Sequence, residues 1–387
     1  MPDPRTPVIV AARRTPIGTA GHALREVPVD ALGAAVVSAL VGDLPERVRV
    51  DEVVLGNCTG PGGNIARVAA LRAGLDPTVA AWTIDLQCGS GLAAIVAAVD
   101  SVRSGRCDVV VAGGAESAST APTRITADGR PYARAPFAPD GHPDPDMGAA
   151  ADHLARRAGI TRERADAYAA RSFARAWDAQ TRGLFAVELV PVAGVDRDER
   201  IRRGMTAERL ARLRPTFDPT GTVTPGNATG VNDGAAAVAV VTEELRARWD
   251  LPGLRVLESA QRGVDPALPG LGPVPAVRAL RCLATRGVSN GMGGARDPDW
   301  ERVDRIEINE AFAAQVLACC DALGLAEERV CTDGGAIALG HPWGASGAVL
   351  AVRLFTALVR QRQGDRGLAA IAVGGGQGVA MAVERVP

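Results

Sequence analysis

The sequence contains no lysine, and all 43 of its basic residues are arginine. A mechanism that forms a Schiff base on lysine is therefore excluded, and any side-chain cation that contacts a phosphate or a carboxylate must be an arginine. The chain also has little net charge, −1 at neutral pH. No strong electrostatic field therefore selects nucleic acid or an anionic membrane as a partner.

Long apolar runs are also missing, because glycine or charged residues interrupt every stretch that approaches the length of a membrane span. The seven cysteines are odd in number, and the N-terminus lacks the charged and apolar regions of a signal peptide. These absences predict a soluble protein with free thiols in a reducing cytoplasm. We expect no membrane partner, no nucleic acid and no metal site.

What is present is an alternation of apolar runs with helical patterns over the first third of the 387 residues. The alternation predicts an α/β sheet covered by helices on both sides. The predicted strands are residues 7–12, 51–58, 79–86 and 108–112, and the predicted helices are 29–41, 64–73 and 92–102.

Between residues 122 and 230 the alternation stops, and proline, glycine, aspartate and arginine become frequent. Residues 161–180 are predicted to form a helix with Thr161 as its N-cap. The rest is expected to be an irregular insertion of the kind that forms lids or binding surfaces. Its arginines are equally consistent with a solvated face.

The sequence then returns to a buried strand ending near residue 241, and a second α/β unit is predicted to begin at Gly263. Residues 285–302 are expected to form a polar surface excursion. The segments that start at Cys88 and at Trp343 share one order: a turn, a helix rich in small residues, an apolar strand and a glycine cluster. This similarity predicts a duplicated α/β unit whose two turns meet at the interface. The predicted domains are residues 1–121 and 231–262 for the N-terminal half, 122–230 for the insertion, and 263–387 for the C-terminal half.

Cys88 lies in the stretch QCGSGL, at a predicted elbow between a strand and a helix. A thiol there faces the unpaired amide groups of the helix N-terminus, whose dipole favours the thiolate. Most isolated cysteines are small buried hydrophobes, and we expect this of Cys58, Cys107, Cys282, Cys319 and Cys320. Cys88 is instead the predicted nucleophile.

Three further features lie in predicted loops at strand ends. His341, one of only four histidines, stands in a glycine-rich loop before a helix and can take the proton of a nearby thiol. Asn309 follows a strand and either caps the next helix or orients a water toward an oxyanion. The glycines at 374–376 offer backbone N–H groups for a second oxyanion site.

The motifs QCGSGL, GTVTPGNATGVNDGAAA, GVDP with GPVPA, NEAFA, GGAIALGHPWGASG and GGGQG, in this order and spacing, resemble the thiolase family. This family comprises acetyl-CoA acetyltransferases and 3-ketoacyl-CoA thiolases, and the resemblance covers essentially the whole chain. It implies a five-layered α-β-α-β-α fold of two duplicated α/β halves with an inserted loop domain. It also implies a homodimer or homotetramer that uses coenzyme A thioesters as substrates and binds no cofactor tightly.

The resemblance further implies the chemistry. Cys88 would attack an acyl-CoA thioester after activation by His341, and the acyl group would remain on the sulfur while CoA leaves. A second acyl-CoA, as its α-carbanion, would then attack that acyl-enzyme in a Claisen condensation, or the reverse reaction would run as thiolysis. The thioester oxyanion of the attacking partner would face His341 and a water held by Asn309. The oxyanion of the acyl-enzyme would face the amides of Cys88 and Gly374.

The same resemblance assigns the binding residues. Arg202 and Thr229 would contact the adenine end and the pantetheine arm of CoA, and Met147 and Phe312 would line the acyl pocket. Three departures from the family pattern predict a changed acyl or CoA pocket: Asp146 before Met147, Pro269, and the polar excursion at residues 285–302. Whether a carrier protein replaces CoA stays open.

The main departure is Ala372, which stands where the family has its second catalytic cysteine. A methyl group cannot transfer a proton, and general acid–base catalysis is worth about 10² to 10⁴ in rate. Cys331, three residues before Gly334, is one alternative base. A decarboxylating extender such as malonyl-CoA would need no base, nor would acyl transfer to an amine, an alcohol or water. A non-catalytic partner subunit is a further alternative, although the chain retains Cys88, Asn309 and His341.

Overall fold

The structure is a computed structural model that describes residues 3–46, 48–132, 134–283 and 298–387. Most of the predicted polar excursion, residues 285–297, lies outside these ranges.

The helices and strands follow the predicted alternation. The strands are β1 (Pro7–Arg14), β2 (Gly18–Thr19), β3 (Glu52–Gly56), β4 (Ala80–Ile84), β5 (Val109–Ser117), β6 (Arg124–Ile125), β7 (Pro131–Tyr132), β8 (Asn232–Thr242), β9 (Gly253–Gly263), β10 (Arg305–Ile308), β11 (Arg366–Val373) and β12 (Gln377–Val386). The helices are α1 (Val29–Asp43), α2 (Ile65–Arg72), α3 (Ser90–Arg103), α4 (Met147–Ala158), α5 (Arg162–Thr181), α6 (Ala207–Leu210), α7 (Glu243–Arg248), α8 (Pro273–Arg278), α9 (Ala313–Leu323), α10 (Ala336–Leu339) and α11 (Trp343–Phe355).

The strands show the duplication in their topology. The N-terminal half has the order β4-β3-β5-β8-β1, and the C-terminal half has the order β10-β11-β12-β9. In both halves one parallel pair, β3/β5 or β10/β11, is followed by two antiparallel pairs. The N-terminal half adds the parallel pair β3/β4, which the C-terminal half replaces with a single parallel bridge between Ile306 and Val330.

The two halves join where β1 pairs with β9 over a short register, Val8 with Arg255 and Ile9 with Leu254. Nearly all of the pairing of β9 is with β12. β9 ends at Gly263, where the sequence predicts that the C-terminal half begins. The predicted domain boundaries stay predictions.

The layers confirm the predicted five-layered arrangement. Helices α1 and α2 cover the outer face of the N-terminal strands, and α8 covers β12 and β9 on the far side. Helices α3 and α11 pack against each other in the middle, and each contacts strands of both halves. Because both faces of the sheet are covered, strands such as β5 and β8 are buried along their whole length.

The contact between the central elements depends on glycine. A Cβ atom at Gly347 would lie 2.5 Å from the backbone nitrogen of Leu92, and one at Gly114 would lie 1.9 Å from the carbonyl oxygen of Gly344. Any side chain at these positions would force the two halves apart. The close approach brings the N-terminal end of α3 and that of α11 together.

The middle layer also contains a long apolar helical segment. By length and composition, Trp343–Arg360 is a candidate membrane span, the single one among the described residues. Within the protein, 89% of this segment is buried, as expected of a core helix between two sheets.

The insertion is more helical than predicted. α5 begins where expected, with the Thr161 hydroxyl accepting a hydrogen bond from the backbone N–H of Arg164. One helix that was not predicted is α4, which the Asp146 carboxylate caps at Gly148 N–H and which ends at Gly159 with φ +67°. Asp146 and Gly159 are ordinary residues for the start and the end of a helix. The proline- and glycine-rich sequence before them made this helix hard to predict.

Candidate active site

A cavity of about 120 Å³ lies between the two halves and the inserted helix α4. It brings together most of the predicted site residues from separate parts of the chain. Those that line it are Cys88, Met147, Thr229, Phe312, His341 and Gly374. Asn309 lies beside His341, and Arg202 lies outside the lining.

Cys88 lies in a tight elbow between β4 and α3. Gln87 adopts a left-handed backbone conformation with φ +49°, which is uncommon for a residue other than glycine. The Ser90 hydroxyl closes the elbow by donating to Gln87 O at 2.6 Å and accepting from Leu86 N–H at 2.8 Å. A Cβ atom at Gly89 would lie 2.6 Å from Val373 Cγ2. The turn is thus held from both halves.

The electrostatic surroundings of Cys88 oppose ionisation of the free thiol. Burial and, to a lesser degree, the carboxylate of Glu116 raise the pKa of Cys88 to about 12. Hydrogen bonds from the backbone N–H groups of Cys88 and Gly374 lower the pKa but do not compensate. The expected thiolate preference at the helix terminus is outweighed by desolvation. The thiol therefore needs a base.

His341 is suited to be that base. Its side chain is 3% exposed, and burial lowers its pKa to about 4, so the imidazole is neutral at pH 7. Nδ1 lies 2.5 Å from Ser346 Oγ. When Nδ1–H donates to this hydroxyl, Nε2 is left to accept a proton. The backbone N–H of His341 donates to Asn232 Oδ1 at 2.9 Å, which fixes the loop.

Asn309 lies at the end of β10 and is 3% exposed. Its Nδ2 is 3.5 Å from Nδ1 of His341, a long contact. It does not cap the following helix, because α9 begins at Ala313 with Phe312 at the N-cap position. The capping interpretation of Asn309 is therefore wrong, which leaves its amide for the site.

The wall of the cavity is mainly apolar. Met147 is the first residue of α4, and Phe312 precedes α9. Pro269 also lines the cavity, as does Trp343. Thr229 is tied to the wall by its backbone N–H, which donates to Ala311 O at 3.0 Å. Such a lining suits a short acyl group with a few polar anchors at its mouth.

Arg202 is exposed on the insertion. Burial and, to a lesser degree, the charge of Arg202 lower the pKa of the neighbouring Arg200. Arg200 Nη2 donates to Ile337 O at 3.3 Å, in the short helix just before the His341 loop. The arginine pair thus forms a positive surface connected to the site, which an anionic group would favour.

Glu116 was not predicted as a site residue, although the motif AGGAES was noted as a strand end. Its buried carboxylate accepts hydrogen bonds from the side chain of Asn57 and the backbone N–H of Cys58, at 3.0 and 3.1 Å. It also accepts from Thr59 N–H at 3.1 Å and from Gly344 N–H at 3.0 Å. The sequence signal that could have identified it is a glutamate near the end of a glycine-rich apolar strand. Through these hydrogen bonds, Glu116 connects the loop that contains Asn57 and Cys58 to the turn that carries His341.

Ala372 lines the cavity, whereas Cys331 does not. Cys331 is 1% exposed, and its thiol donates to Ile308 O at 3.3 Å. Burial raises its pKa well above the ordinary value. The structure therefore does not bring Cys331 to the cavity as a base, and Cys88 and His341 are the titratable residues among those that line it. No described cluster of side chains is arranged to hold a metal ion.

Comparison with known protein families gives two matches that together span nearly the whole chain. Residues 7–244 match "Thiolase, N-terminal domain", and residues 252–385 match "Thiolase, C-terminal domain".

Among curated proteins, the chain is 43% identical to a "Probable acetyl-CoA acetyltransferase" of Escherichia coli (strain K12), covering 98% of each chain. It is 42% identical to an "Acetyl-CoA acetyltransferase" of Pseudomonas aeruginosa, covering 98% of this chain and 99% of the relative. Among solved structures, the Bacillus anthracis acetyl-CoA acetyltransferase superposes with a TM-score of 0.88 at 37% identity, covering 98% of this chain and 99% of that one.

Proposed function

The chain belongs to the thiolase family, and we propose that it forms an acyl-enzyme on Cys88 and makes or cleaves the carbon–carbon bond of a 3-ketoacyl-CoA. It is an acyltransferase of the thiolase type that acts on acyl-CoA. The observation that supports the proposal most directly is the shared cavity, which holds Cys88 and a neutral His341, with the Gly374 N–H directed at the sulfur.

This arrangement supports the first half-reaction of the proposal. His341 Nε2 accepts the thiol proton, and Cys88 Sγ attacks the thioester carbonyl carbon. The oxyanion that forms lies beside the sulfur, where the backbone N–H groups of Cys88 and Gly374 stabilise it. The CoA thiolate leaves and takes up a proton.

In the second half-reaction the nucleophile is the α-carbon of another acyl-CoA, and its thioester oxygen carries negative charge. His341 and a water held by Asn309 stabilise that oxygen. Thr229 positions the pantetheine arm, and Met147 and Phe312 enclose the acyl group. These roles agree with the apolar wall and with the polar groups at its edge.

Arg202 binds the adenine end of CoA through its phosphates. Arg202→Ala should raise the KM for acetyl-CoA about tenfold, the loss of one charge-assisted contact, and leave acylation by a short pantetheine thioester unchanged. Equal losses with both thioesters would show that Arg202 acts on folding or chemistry instead. Steady-state kinetics with the two thioesters make the comparison.

Ala372 favours a second candidate function. Among the described residues that line the cavity, Cys88 and His341 are the groups able to transfer a proton. A condensation driven by decarboxylation of a malonyl thioester obtains its carbanion without a base, and acyl transfer to an amine, an alcohol or water needs no carbanion. Either reaction keeps the acyl-enzyme on Cys88.

The deciding experiment is thiolysis of acetoacetyl-CoA by free CoA, with native protein and Ala372→Cys compared under the same conditions. A large gain in the variant, of the order of 10² to 10⁴, would mean that only the proton-transfer group is missing and would favour the second candidate. Brisk native thiolysis would support the first. Mass spectrometry of Cys88 after incubation with acetyl-CoA is run in parallel, and an unacylated sulfur would overturn both and leave a non-catalytic partner subunit.

We also infer a homo-oligomer that forms through β4. This strand is the edge of the N-terminal sheet, and its residues are half-buried or exposed. An unpaired edge strand exposes N–H and C=O groups that a second copy can satisfy. Beside it runs a groove of about 640 Å³, partly lined by Ile84, Leu86, Val96 and Leu257. Light scattering after size exclusion should give a dimer or tetramer, and a monomer at micromolar concentration would contradict the inference.

A further inference from the structure

A second, smaller cavity lies beside the His341 loop, and it shares no lining residue with the substrate cavity. Its lining includes Ser346, Asn309, Glu307 and Arg353. It has about 10 Å³ of room for the centres of water-sized molecules, which is about what one water needs. A water there would have several polar partners, so the site is suited to hold one.

The small cavity is linked to the catalytic imidazole by one hydroxyl. Ser346 Oγ lies 2.5 Å from His341 Nδ1, and Ser346 also lines the cavity. On the same lining, Arg353 Nε is buried without a hydrogen-bond partner among the described residues. A buried N–H of this kind calls for an acceptor, and a water oxygen in the cavity supplies it.

Glu307 is the acidic group that lines the small cavity. It lies on β10 and is 2% exposed. The charged and titratable groups that face it are Arg305, Arg353, Asp333 and the thiol of Cys331. Burial raises the pKa of Glu307 to about 7, against the opposing effect of the two arginines. Its carboxylate can therefore both take up and release a proton near neutral pH.

We propose that Glu307 is the terminal proton acceptor of a relay that runs from Cys88 through His341, Ser346 and one water in the small cavity. The Cys88 S–H bond breaks and its proton goes to His341 Nε2, while the Nδ1 proton passes to Ser346 Oγ. The Ser346 hydroxyl proton passes to the water, and a proton of that water passes to the Glu307 carboxylate. The products are a thiolate and a carboxylic acid, and the imidazole ends neutral.

The relay explains how so deeply buried a histidine acts as a base. Direct transfer would leave the proton on an imidazolium whose pKa burial holds near 4. Passing the proton on to Glu307 avoids that buried charge. Run in reverse, the relay returns a proton to the departing CoA thiolate, which matters because Ala372 supplies no second acid. Glu307 and Ser346 thus act through His341 and touch no substrate.

The inference rests on the proposed acyl-enzyme at Cys88, so the test measures the rate of that acylation. Native protein, Glu307→Gln, Ser346→Ala and the double variant are mixed rapidly with acetyl-CoA from about pH 6 to pH 9, quenched and analysed by mass spectrometry. Glu52→Gln is the matched control, because Glu52 is also a buried glutamate, 8% exposed, at the far end of β3.

In native protein the acylation rate should rise as the pH passes about 7, where Glu307 becomes the carboxylate acceptor. Glu307→Gln should remove that rise and slow acylation at about pH 8 by roughly 10- to 100-fold, the lower part of the usual range for proton-transfer catalysis. Ser346→Ala should give a similar loss, and the double variant should be no slower than the slower single variant. Glu307→Asp should keep the pH-dependent rise, and the control should match native protein.

Unchanged profiles in Glu307→Gln, or losses that multiply in the double variant, would overturn the relay while leaving the acyl-enzyme intact. Absence of native acylation at Cys88 would overturn the proposed function and the relay together. Thermal melts establish that each variant is folded, and Glu307→Asp tests the carboxylate even if Glu307→Gln does not fold.

Discussion

The turn that carries Cys88 and the turn that carries His341 occupy equivalent places in the two halves, yet each is supported by the other half. Glu116, the penultimate residue of β5 in the N-terminal half, accepts a hydrogen bond from Gly344 N–H, close to His341 in the chain. The glycine cluster that follows β11 of the C-terminal half donates Gly374 N–H to Cys88. The two duplicated units thus carry different side chains, a thiol and an imidazole, at their turns. Each turn is still held in place by hydrogen bonds from the other half.

The two turns differ in solvent exposure and in the direction in which burial shifts the pKa of Cys88 and His341. Cys88 keeps part of its surface accessible, whereas His341 is 3% exposed. Burial raises the pKa of the thiol to about 12 and lowers that of the imidazole to about 4. Both residues are therefore neutral at rest. In the proposed mechanism, an uncharged nucleophile and an uncharged base avoid the cost of a buried ion pair until substrate arrives.

The largest difference between the roles of the two turns should appear when the sulfur of Cys88 is removed. Cys88→Ala should abolish acyl-enzyme formation completely, because no other described thiol lines the cavity. Mass spectrometry after incubation with acetyl-CoA measures the loss. Cys282→Ala, a cysteine of similar partial exposure outside the cavity, is the control and should acylate normally. Full acylation of Cys88→Ala would remove the nucleophile assignment.

Changing the other turn should slow the same step without abolishing it. His341→Asn should reduce the rate of Cys88 acylation by roughly 10² to 10⁴, since the thiol loses its base. Alkylation of Cys88 by iodoacetamide gives an independent measurement that does not need CoA binding. If the alkylation rate equalled that of native protein at about pH 7, activation by this imidazole would be refuted.

The smallest expected effect on acylation comes from breaking the support between the halves. Glu116→Gln replaces an acceptor of several hydrogen bonds with a group that has a single acceptor oxygen. The variant should lose about 3 kcal/mol in the free energy of unfolding, seen as a lower Tm, while acylation changes by less than about tenfold. A matched Glu52→Gln variant controls for loss of a buried carboxylate. An unchanged Tm would show that the bridge to Gly344 carries no stability.

The sequence was sufficient for features that depend on local order. The apolar periods located the strands around Cys88, and the comparison of the two turns predicted the duplicated halves that the topology shows. Contacts between residues far apart in the chain could not be predicted from the sequence. The hydrogen bonds of Glu116 come from segments far apart in the chain, and the link from Ser346 to Glu307 exists only because β10 and α11 pack together. Cys331 looked available from its spacing, but its thiol is buried against Ile308 O.

The glycine contacts that α11 makes with α3 and with β5 limit how this scaffold can be altered by recombination. The cavity forms where Gly114 and Gly347 allow close backbone contact between the two halves. A half transplanted from a relative would therefore form a working site only if it also has glycine at the corresponding contact positions. Substitutions of the cavity-lining residues Met147, Pro269 or Phe312 can change the substrate range without disturbing these glycine contacts. The scaffold is therefore expected to tolerate substitutions in the cavity wall but not at Gly114 and Gly347, where the two halves meet.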